Sequence, residues 1–319
     1  MKGLVQAFPQ QLREAVQRTA HYPALPAATP PRTVNVLGLG GSAFGGELVR
    51  NACWGSSPAP ILIHRGYTAP AYLAEADLVI ASSYSGNTEE TLAAVEAAHA
   101  QGAQVVVSTS GGKLAAWAKE RGLPHLPMPE GYPPRAAVGF SFVNLLYILQ
   151  AYGVVQGWEK EIEAAAALQD AFTGHEEARH VAQMLHGRAF ILYAGDVIDG
   201  VAIRFRQQLN ENSKQLGWHH VIPEMNHNEL VGWEHPEAVL NHAAVLMLRS
   251  RFEHPRVAAR FAINEEIIAP KVPHCQHIWP QGETLLQELF WHLHFSDWVS
   301  LYLAELNGAE ATPVRIIDY

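Results

Sequence analysis

Three segments rich in glycine and hydroxyl side chains each follow an apolar stretch of the sequence. They are Gly38–Gly46 (GLGGSAFGG), Ser82–Glu90 (SSYSGNTEE) and Ser108–Gly112 (STSGG). Glycine lets a backbone approach an anion closely, and hydroxyl groups can bind phosphate oxygens together with the free N–H groups of a helix N-terminus. Three such loops on one edge of a sheet predict a pocket for a phosphate group.

Other interpretations of these loops remain open. The first segment would also suit an ordinary tight turn, and the second would suit a helix cap formed by Asn87 or Thr88. A dinucleotide site fits the spacing of Gly38, Gly40 and Ala43, but the next strand ends in His64-Arg65 and offers no acid to hold a ribose.

Alternating strands and helices are needed to position these loops. The apolar pattern predicts strands at 33–39, 61–64, 76–82 and 104–108, with helices at 44–53 and 88–101. Further along the chain it predicts a helix at 140–152, strands at 188–194 and 243–249, and helices at 159–169, 200–211 and 283–307. This alternation indicates βαβ units and an α/β fold with ligands at the strand C-termini. We expect two domains, 1–152 and 153–319, preceded by an N-terminal helix and a Pro- and Ala-rich connection over 21–32.

The composition narrows the class of protein. A length of 319 residues favours two cores of about 150 residues each. The net charge of -9 argues against a nucleic-acid or anionic-membrane partner. The two cysteines, Cys53 and Cys275, favour a reducing cytoplasm over a disulfide framework. No His/Cys spacing predicts a metal site, no apolar run predicts a membrane span, and the first residues predict an amphipathic helix instead of a signal peptide.

Several of these motifs carry a family resemblance. The GGSAFGGEL, SYSGNTEETL and TSGGKL segments resemble the loops of sugar isomerase (SIS) domains. Four later segments resemble the bifunctional phosphoglucose/phosphomannose isomerase family, in order along the chain: Pro134–Ala137 (PRAA), Asn210–Lys214 (NENSK), Pro223–Glu229 (PEMNHNE) and Ala311–Pro313 (ATP). The resemblance implies two SIS domains, each a parallel-sheet αβα sandwich of flavodoxin-like type. It also implies a homodimer that interconverts glucose 6-phosphate or mannose 6-phosphate with fructose 6-phosphate, with no metal and no cofactor.

The resemblance also assigns roles to individual residues. Moving a carbonyl from C1 to C2 requires ring opening, removal of a proton from carbon and stabilisation of an enediolate. Glu211 is the expected base, His227 the ring-opening group supplied by the neighbouring subunit, and Arg135 the cation beside the enediolate. Without the resemblance, the ordinary alternatives would be an acid on a helix surface for Glu211, a structural histidine for His227 and a surface ion pair for Arg135.

The remaining site residues are expected to bind the phosphate or to select the sugar. Thr312 is expected to leave room for either C2 epimer. The phosphate is assigned to the hydroxyls of Ser42, Ser85 and Thr88, assisted by Ser83 and the backbone of Gly40 and Gly41.

The end of the sequence departs from the family pattern. Family members typically continue after Thr-Pro into a helix that ends with a leucine and a lysine that enters the site, whereas this sequence reads Thr312-Pro313-Val314-Arg315-Ile316-Ile317-Asp318-Tyr319. Losing one positive group would weaken transition-state stabilisation by about 2 to 4 kcal/mol, by analogy with an oxyanion-hole donor. Two alternatives therefore remain, a non-catalytic regulatory protein that binds a sugar phosphate and an isomerase for an amino-sugar phosphate.

Overall fold

The computed structural model describes residues 1–25 and 30–317. The chain divides into two compact units: Ala7–Ala166, and Met1–Gln6 together with Ala167–Tyr319. Residues 26–29 of the predicted connection and the last two residues lie outside the described part. The units divide at Ala166, and the domain boundary that we expect near residue 153 stays a prediction.

The first unit is built around a five-stranded sheet. A short helix α1 (Lys2–Gln6) belongs to the other unit and precedes the elements of this one, which are α2 (Phe8–Thr19), β1 (Val34–Leu37), α3 (Gly40–Ala52), β2 (Ile61–His64), β3 (Leu78–Ser82), α4 (Glu89–Ala100), β4 (Gln104–Thr109), α5 (Gly112–Glu120), β5 (His125–Pro127) and α6 (Val138–Ala151). The strand order is β2-β1-β3-β4-β5, and every neighbouring pair is parallel. This is the flavodoxin-like order. Its switch point, where successive strands begin to be added on the other side of β1, lies between β1 and β3.

The central strands are apolar because helices cover both faces of the sheet. Every residue of β1 and β3 is buried, as expected for strands of a parallel sheet. At Gly46 of α3, a Cβ would lie 3.1 Å from side-chain atoms of Val36 and Ile63. The glycine therefore lets α3 approach the sheet closely, which fixes where its first turn lies.

The second unit repeats the architecture with four strands. Its elements are α8 (His175–Leu185), β6 (Ala189–Gly195), α9 (Asp199–Ser213), β7 (Gly217–Ile222), α10 (Glu237–Leu240), β8 (Ala243–Leu248), α11 (Pro255–Ile268), β9 (His274–Ile278) and α12 (Leu285–Leu306), and α7 (Trp158–Asp170) connects the two units. The strand order is β7-β6-β8-β9, again all parallel. The order matches the first four strands of the first sheet, so the α/β prediction is confirmed in both halves.

The sequence pattern missed several elements. The helices α5, α8, α10 and α11 and the strands β5, β7 and β9 were not predicted. Helix α3 was expected to begin at Phe44, but it begins at Gly40. Gly40 and Gly41 therefore lie in the first turn of the helix and not in the loop that precedes it. Their backbone N–H groups belong to the helix N-terminus, which is where an anion can bind.

Candidate active site

Two glycines bring the start of α3 against its neighbours at the switch point of the first sheet. A Cβ at Gly38 would lie 2.7 Å from the carbonyl oxygen of Ser82, at the end of β3. A Cβ at Gly41 would lie 3.0 Å from the Pro134 carbonyl oxygen and 3.2 Å from the Arg135 Cα. The Pro134–Ala136 3₁₀ turn therefore rests on the first turn of α3, and Arg135 is buried there at 3% exposure.

Hydroxyl groups link the first two loops. The Ser42 hydroxyl accepts a hydrogen bond from the Tyr84 backbone N–H at 3.0 Å. The hydroxyls of Ser83 and Thr88 lie 2.9 Å apart. The Ser85 hydroxyl accepts from the Asn87 backbone N–H at 3.2 Å, and Ser85 is exposed. Ser42 is thus joined to the second loop, and all four predicted phosphate-binding hydroxyls belong to these two loops at the switch point.

Thr88 does not act as a conventional helix cap. It occupies the N-cap position of α4, but its side chain makes no capping hydrogen bond and instead meets the Ser83 hydroxyl. The first N–H groups of an α-helix have no intrahelical partner, and they carry the positive end of the helix dipole. Anion binding at the N-termini of α3 and α4 therefore explains this edge of the sheet better than a helix cap formed by Thr88 does.

The third loop, 108–112, packs against the second loop, 82–90, and holds it in place. Gly86 has φ +66°, and a Cβ there would lie 1.8 Å from the Gly111 carbonyl oxygen. The Ser110 hydroxyl donates to the Tyr84 carbonyl oxygen at 2.6 Å, and the Asn87 Oδ1 accepts from the Lys113 backbone N–H at 3.1 Å. The loop at 108–112 thus holds the main chain of the loop at 82–90, a supporting role that its composition alone did not distinguish from direct phosphate binding.

The corresponding edge of the second sheet has a different chemistry. Asp199 lies in the first turn of α9, three residues after Asp196. Nearby, Glu253 pairs with Arg249, and Glu288 accepts from the Ser250 hydroxyl at 2.6 Å. Carboxylates at a helix N-terminus occupy the place that an anion would take, so the phosphate pocket is expected in the first unit alone.

Glu211 lines a cavity at the other edge of the second sheet. It lies in the last turn of α9, where a cavity of about 490 Å³ opens. The lining residues are Asn210, Glu211, Lys214, Ala309, Glu310, Pro313, Val314, Arg315, Ile316 and Ile317. Thr312 belongs to the same chain segment, and its hydroxyl accepts from the Met1 amino group at 3.3 Å. The structure therefore brings the segment that carries Thr312 to Glu211.

His227 is not brought to Glu211 within the second unit. It ends the 3₁₀ turn Glu224–His227, which follows the C-terminal end of β7, and it is exposed. Helix α9 runs back from the C-terminal edge of the sheet, so Glu211 lies near the N-terminal end of β7. The six residues of β7 separate the two edges by about 20 Å.

A polar cluster anchors the loop that carries His227. The Tyr193 hydroxyl donates to Glu229, the Trp233 Nε1–H donates to the Tyr193 oxygen at 3.0 Å, and the His220 Nδ1 lies 2.6 Å from the Glu229 Oε2. Burial raises the pKa of Tyr193 far above its ordinary value, so its hydroxyl stays a donor. The cluster fixes the main chain two residues after His227. Only Glu229 of this cluster lay in a motif recognised in the sequence.

Over residues 1–25 and 30–317 there is no group of three or more His, Cys, Asp or Glu side chains arranged to hold a metal ion. Within the same ranges, no helix is both long and apolar enough to cross a membrane.

Two parallel α/β units, one with glycine and hydroxyl loops at its switch point, define a protein of the SIS class. The fold is shared with the C-terminal domain of glucosamine-fructose-6-phosphate aminotransferase from Francisella tularensis, with a TM-score of 0.73 at 11% identity, over 97% of this chain and 96% of that one. Residues 174–319 match the family model of the bacterial phospho-glucose isomerase C-terminal SIS domain.

Sequence relatives identify the family more closely. The chain is 35% identical to a bifunctional phosphoglucose/phosphomannose isomerase of Caldicellulosiruptor bescii over 98% of its own length and 95% of that protein. It is 32% identical to a D-glucosamine-6-phosphate 4-epimerase of Sulfolobus acidocaldarius over 72% of each chain. The chain belongs to the bifunctional phosphoglucose/phosphomannose isomerase family, as its motifs predicted.

Proposed function

We propose that this protein interconverts glucose 6-phosphate and mannose 6-phosphate with fructose 6-phosphate. The observation that carries the proposal is the buried Arg135, set beside the first turn of α3 where hydroxyl groups and helix N-termini converge. A fixed cation next to an anion pocket suits a phosphorylated substrate that develops negative charge during the reaction.

The proposed chemistry divides among three side chains. Glu211 takes the proton from C2 of the open aldose and returns it to C1, while the hydroxyl proton moves between the two oxygens. Arg135 opposes the negative charge that develops on O1 and O2 in the enediolate. His227 opens the ring by exchanging protons with the ring oxygen and the anomeric hydroxyl, for which imidazole is suited near pH 7.

We propose that His227 acts in the site of a second subunit. Glu211 and His227 lie at opposite edges of one sheet, which supports a dimer in which each chain supplies one of them to a shared site. The edge strand β7 also exposes Trp218 at 50%, with Leu216 just before it at 69%. Exposed apolar residues beside an uncovered strand edge are typical of a protein–protein contact.

Two further assignments follow from the same proposal. Thr312 is the specificity residue, and its place in the segment at the Glu211 cavity supports this role. We also place the enzyme in a reducing cytoplasm, which is supported by the free thiols of Cys53 and Cys275.

The first test is incubation of the purified protein with fructose 6-phosphate and EDTA, with separate coupled assays for glucose 6-phosphate and mannose 6-phosphate. Formation of both products is the expected result. If neither forms while fructose 6-phosphate still raises the melting temperature, the regulatory alternative replaces the isomerase. A parallel incubation with glucosamine 6-phosphate tests the amino-sugar alternative, because turnover of that compound alone would reassign the substrate.

A further inference from the structure

We propose that Lys214 is a positioning residue that holds the segment 309–317 against α9 and thereby sets the preference between C2 epimers. The proposal rests on the isomerase function proposed above. It concerns a lysine whose side chain contacts main-chain atoms of Glu211 and of the residues around Thr312.

The Lys214 ammonium joins two distant parts of the chain. Its Nζ donates to the carbonyl oxygens of Glu211 at 2.6 Å, Glu310 at 2.8 Å and Pro313 at 2.8 Å. An ammonium group has three N–H donors, which match these three acceptors. Hydrogen bonds from a charged donor are stronger than neutral ones, so the contact is a firm attachment of the segment after α12 to the end of α9.

The three carbonyl acceptors lie at the end of α9 and on both sides of Thr312. The Glu211 carbonyl lies in the last turn of α9, where carbonyl groups lack partners within the helix. Glu310 and Pro313 lie on either side of Thr312, so the ammonium fixes the main chain both before and after the proposed specificity residue. One cation therefore sets the position of Thr312 relative to the helix turn that carries the proposed base.

The backbone conformation of Lys214 also indicates that its side chain has a structural role. Lys214 has φ 54° and ψ 34° at the C-cap of α9, and it is the non-glycine residue with positive φ within the described ranges. Glycine is the residue usually found at this position of a helix end, because a side chain disfavours the left-handed region. The presence of a lysine at a position where glycine is less strained points to a role of the ammonium group.

The test replaces Lys214 with glycine, which suits the left-handed backbone and removes the ammonium. The melting temperature is expected to stay level or to rise, whereas amide hydrogen exchange of residues 309–317 accelerates. We expect kcat/KM for glucose 6-phosphate to fall about tenfold or more, because small displacements in a site are costly. The ratio of kcat/KM for the two epimers is expected to shift about threefold or more. Lys214→Asn, which also tolerates this backbone, repeats the test if the glycine variant is insoluble.

Lys271→Gly is the matched control, since it removes an exposed lysine from the same unit and is expected to change neither exchange nor epimer ratio. Unchanged exchange of 309–317 in Lys214→Gly would overturn the proposal, and so would faster exchange with an unaltered rate and epimer ratio. If the wild-type protein turns over neither sugar phosphate, the proposed function fails, and the exchange measurement alone then decides whether Lys214 holds the segment.

Discussion

At the scale of single residues, Glu211 lies beside a cavity where the proposed substrate could reach it. The cavity beside it is lined by apolar side chains of the C-terminal segment, including Val314, Ile316 and Ile317. Ile316 and Ile317 are 92% and 72% exposed, so a substrate that bound there would cover apolar surface and draw the carboxylate away from water, into surroundings where charge interactions are stronger. The position of the carboxylate in this cavity, more than its residue type, distinguishes it from an ordinary acid on a helix surface.

Replacing Glu211 with glutamine tests the role of the carboxylate. The amide keeps the size of the side chain but cannot take a proton from carbon, so kcat is expected to fall by about 10² to 10⁴, with a smaller change in KM. Glu310→Gln is the matched control, because Glu310 lines the same cavity and its contact with Arg315 is exposed. Steady-state kinetics with fructose 6-phosphate provide the measurement. Equal kcat in Glu211→Gln and the wild type would remove Glu211 as the base.

At the scale of elements, helix α12 is a core helix with two buried histidines. Every residue from Glu288 to Ala304 is buried, and the two buried carboxylates, Glu288 and Asp297, pair with Arg251 and Arg204. Burial lowers the pKa of both His292 and His294 to about 4. His292 bonds the Arg249 carbonyl oxygen at 2.8 Å, and His294 accepts from the Trp298 Nε1–H at 3.0 Å. Both rings therefore pack as neutral groups.

The buried histidines predict a loss of stability in mild acid. Between pH 6.5 and about 4 the unfolded chain binds protons at these two positions and the folded chain does not, so the free energy of unfolding falls with falling pH. Each histidine contributes a slope of up to about 1.4 kcal/mol per pH unit. The lowered pKa of Asp77 beside Arg32 acts in the same direction, but only below the ordinary value of 3.8. Urea unfolding at several pH values measures the slope.

A histidine variant separates this effect from other groups. His64, His175, His274 and His277 also have pKa values lowered by burial, so the total slope has more than one source. The double variant His292→Asn/His294→Asn is expected to be less stable at pH 7 yet to show a shallower decline towards pH 4. The exposed His242→Asn is the control and should keep the wild-type slope. An unchanged slope in the double variant would contradict the assignment.

The elements also show which features a single sequence can reveal. Strands β1 and β3 were predicted because they are mostly apolar and are buried on both faces. Strands β7 (GWHHVI) and β9 (HCQHI) were missed because half-buried edge strands rich in histidine carry no such pattern. The hydroxyl loops were visible in the sequence. The contacts of Lys214 were not, because main-chain carbonyls nearly a hundred positions away leave no mark in residue type.

At the scale of the whole molecule, the two sheets share a topology but differ in chemistry. The first sheet places hydroxyl groups and a buried arginine at its C-terminal edge, whereas the second places carboxylates there, of which Glu253 is paired with the buried Arg249. The second unit contributes the proposed base from the opposite edge of its sheet and His227 from the carboxylate-bearing edge. One chain therefore carries its proposed base and its proposed ring opener at opposite edges of a sheet, an arrangement that is compatible with the proposed symmetric dimer with shared sites.

Mixing two inactive variants tests this arrangement. Glu211→Gln and His227→Asn are unfolded together and refolded at equal concentration, so that about half of the dimers contain one chain of each kind. If Glu211 and His227 of one site come from different chains, each mixed dimer has one intact site and one site with both defects. About a quarter of the wild-type activity on glucose 6-phosphate is then expected, because half of the dimers each hold one working site of two. Each variant refolded alone is the control and should stay inactive. If both residues of a site came from the same chain, every site in the mixture would carry one defect, and the activity would not rise above that of the separate variants.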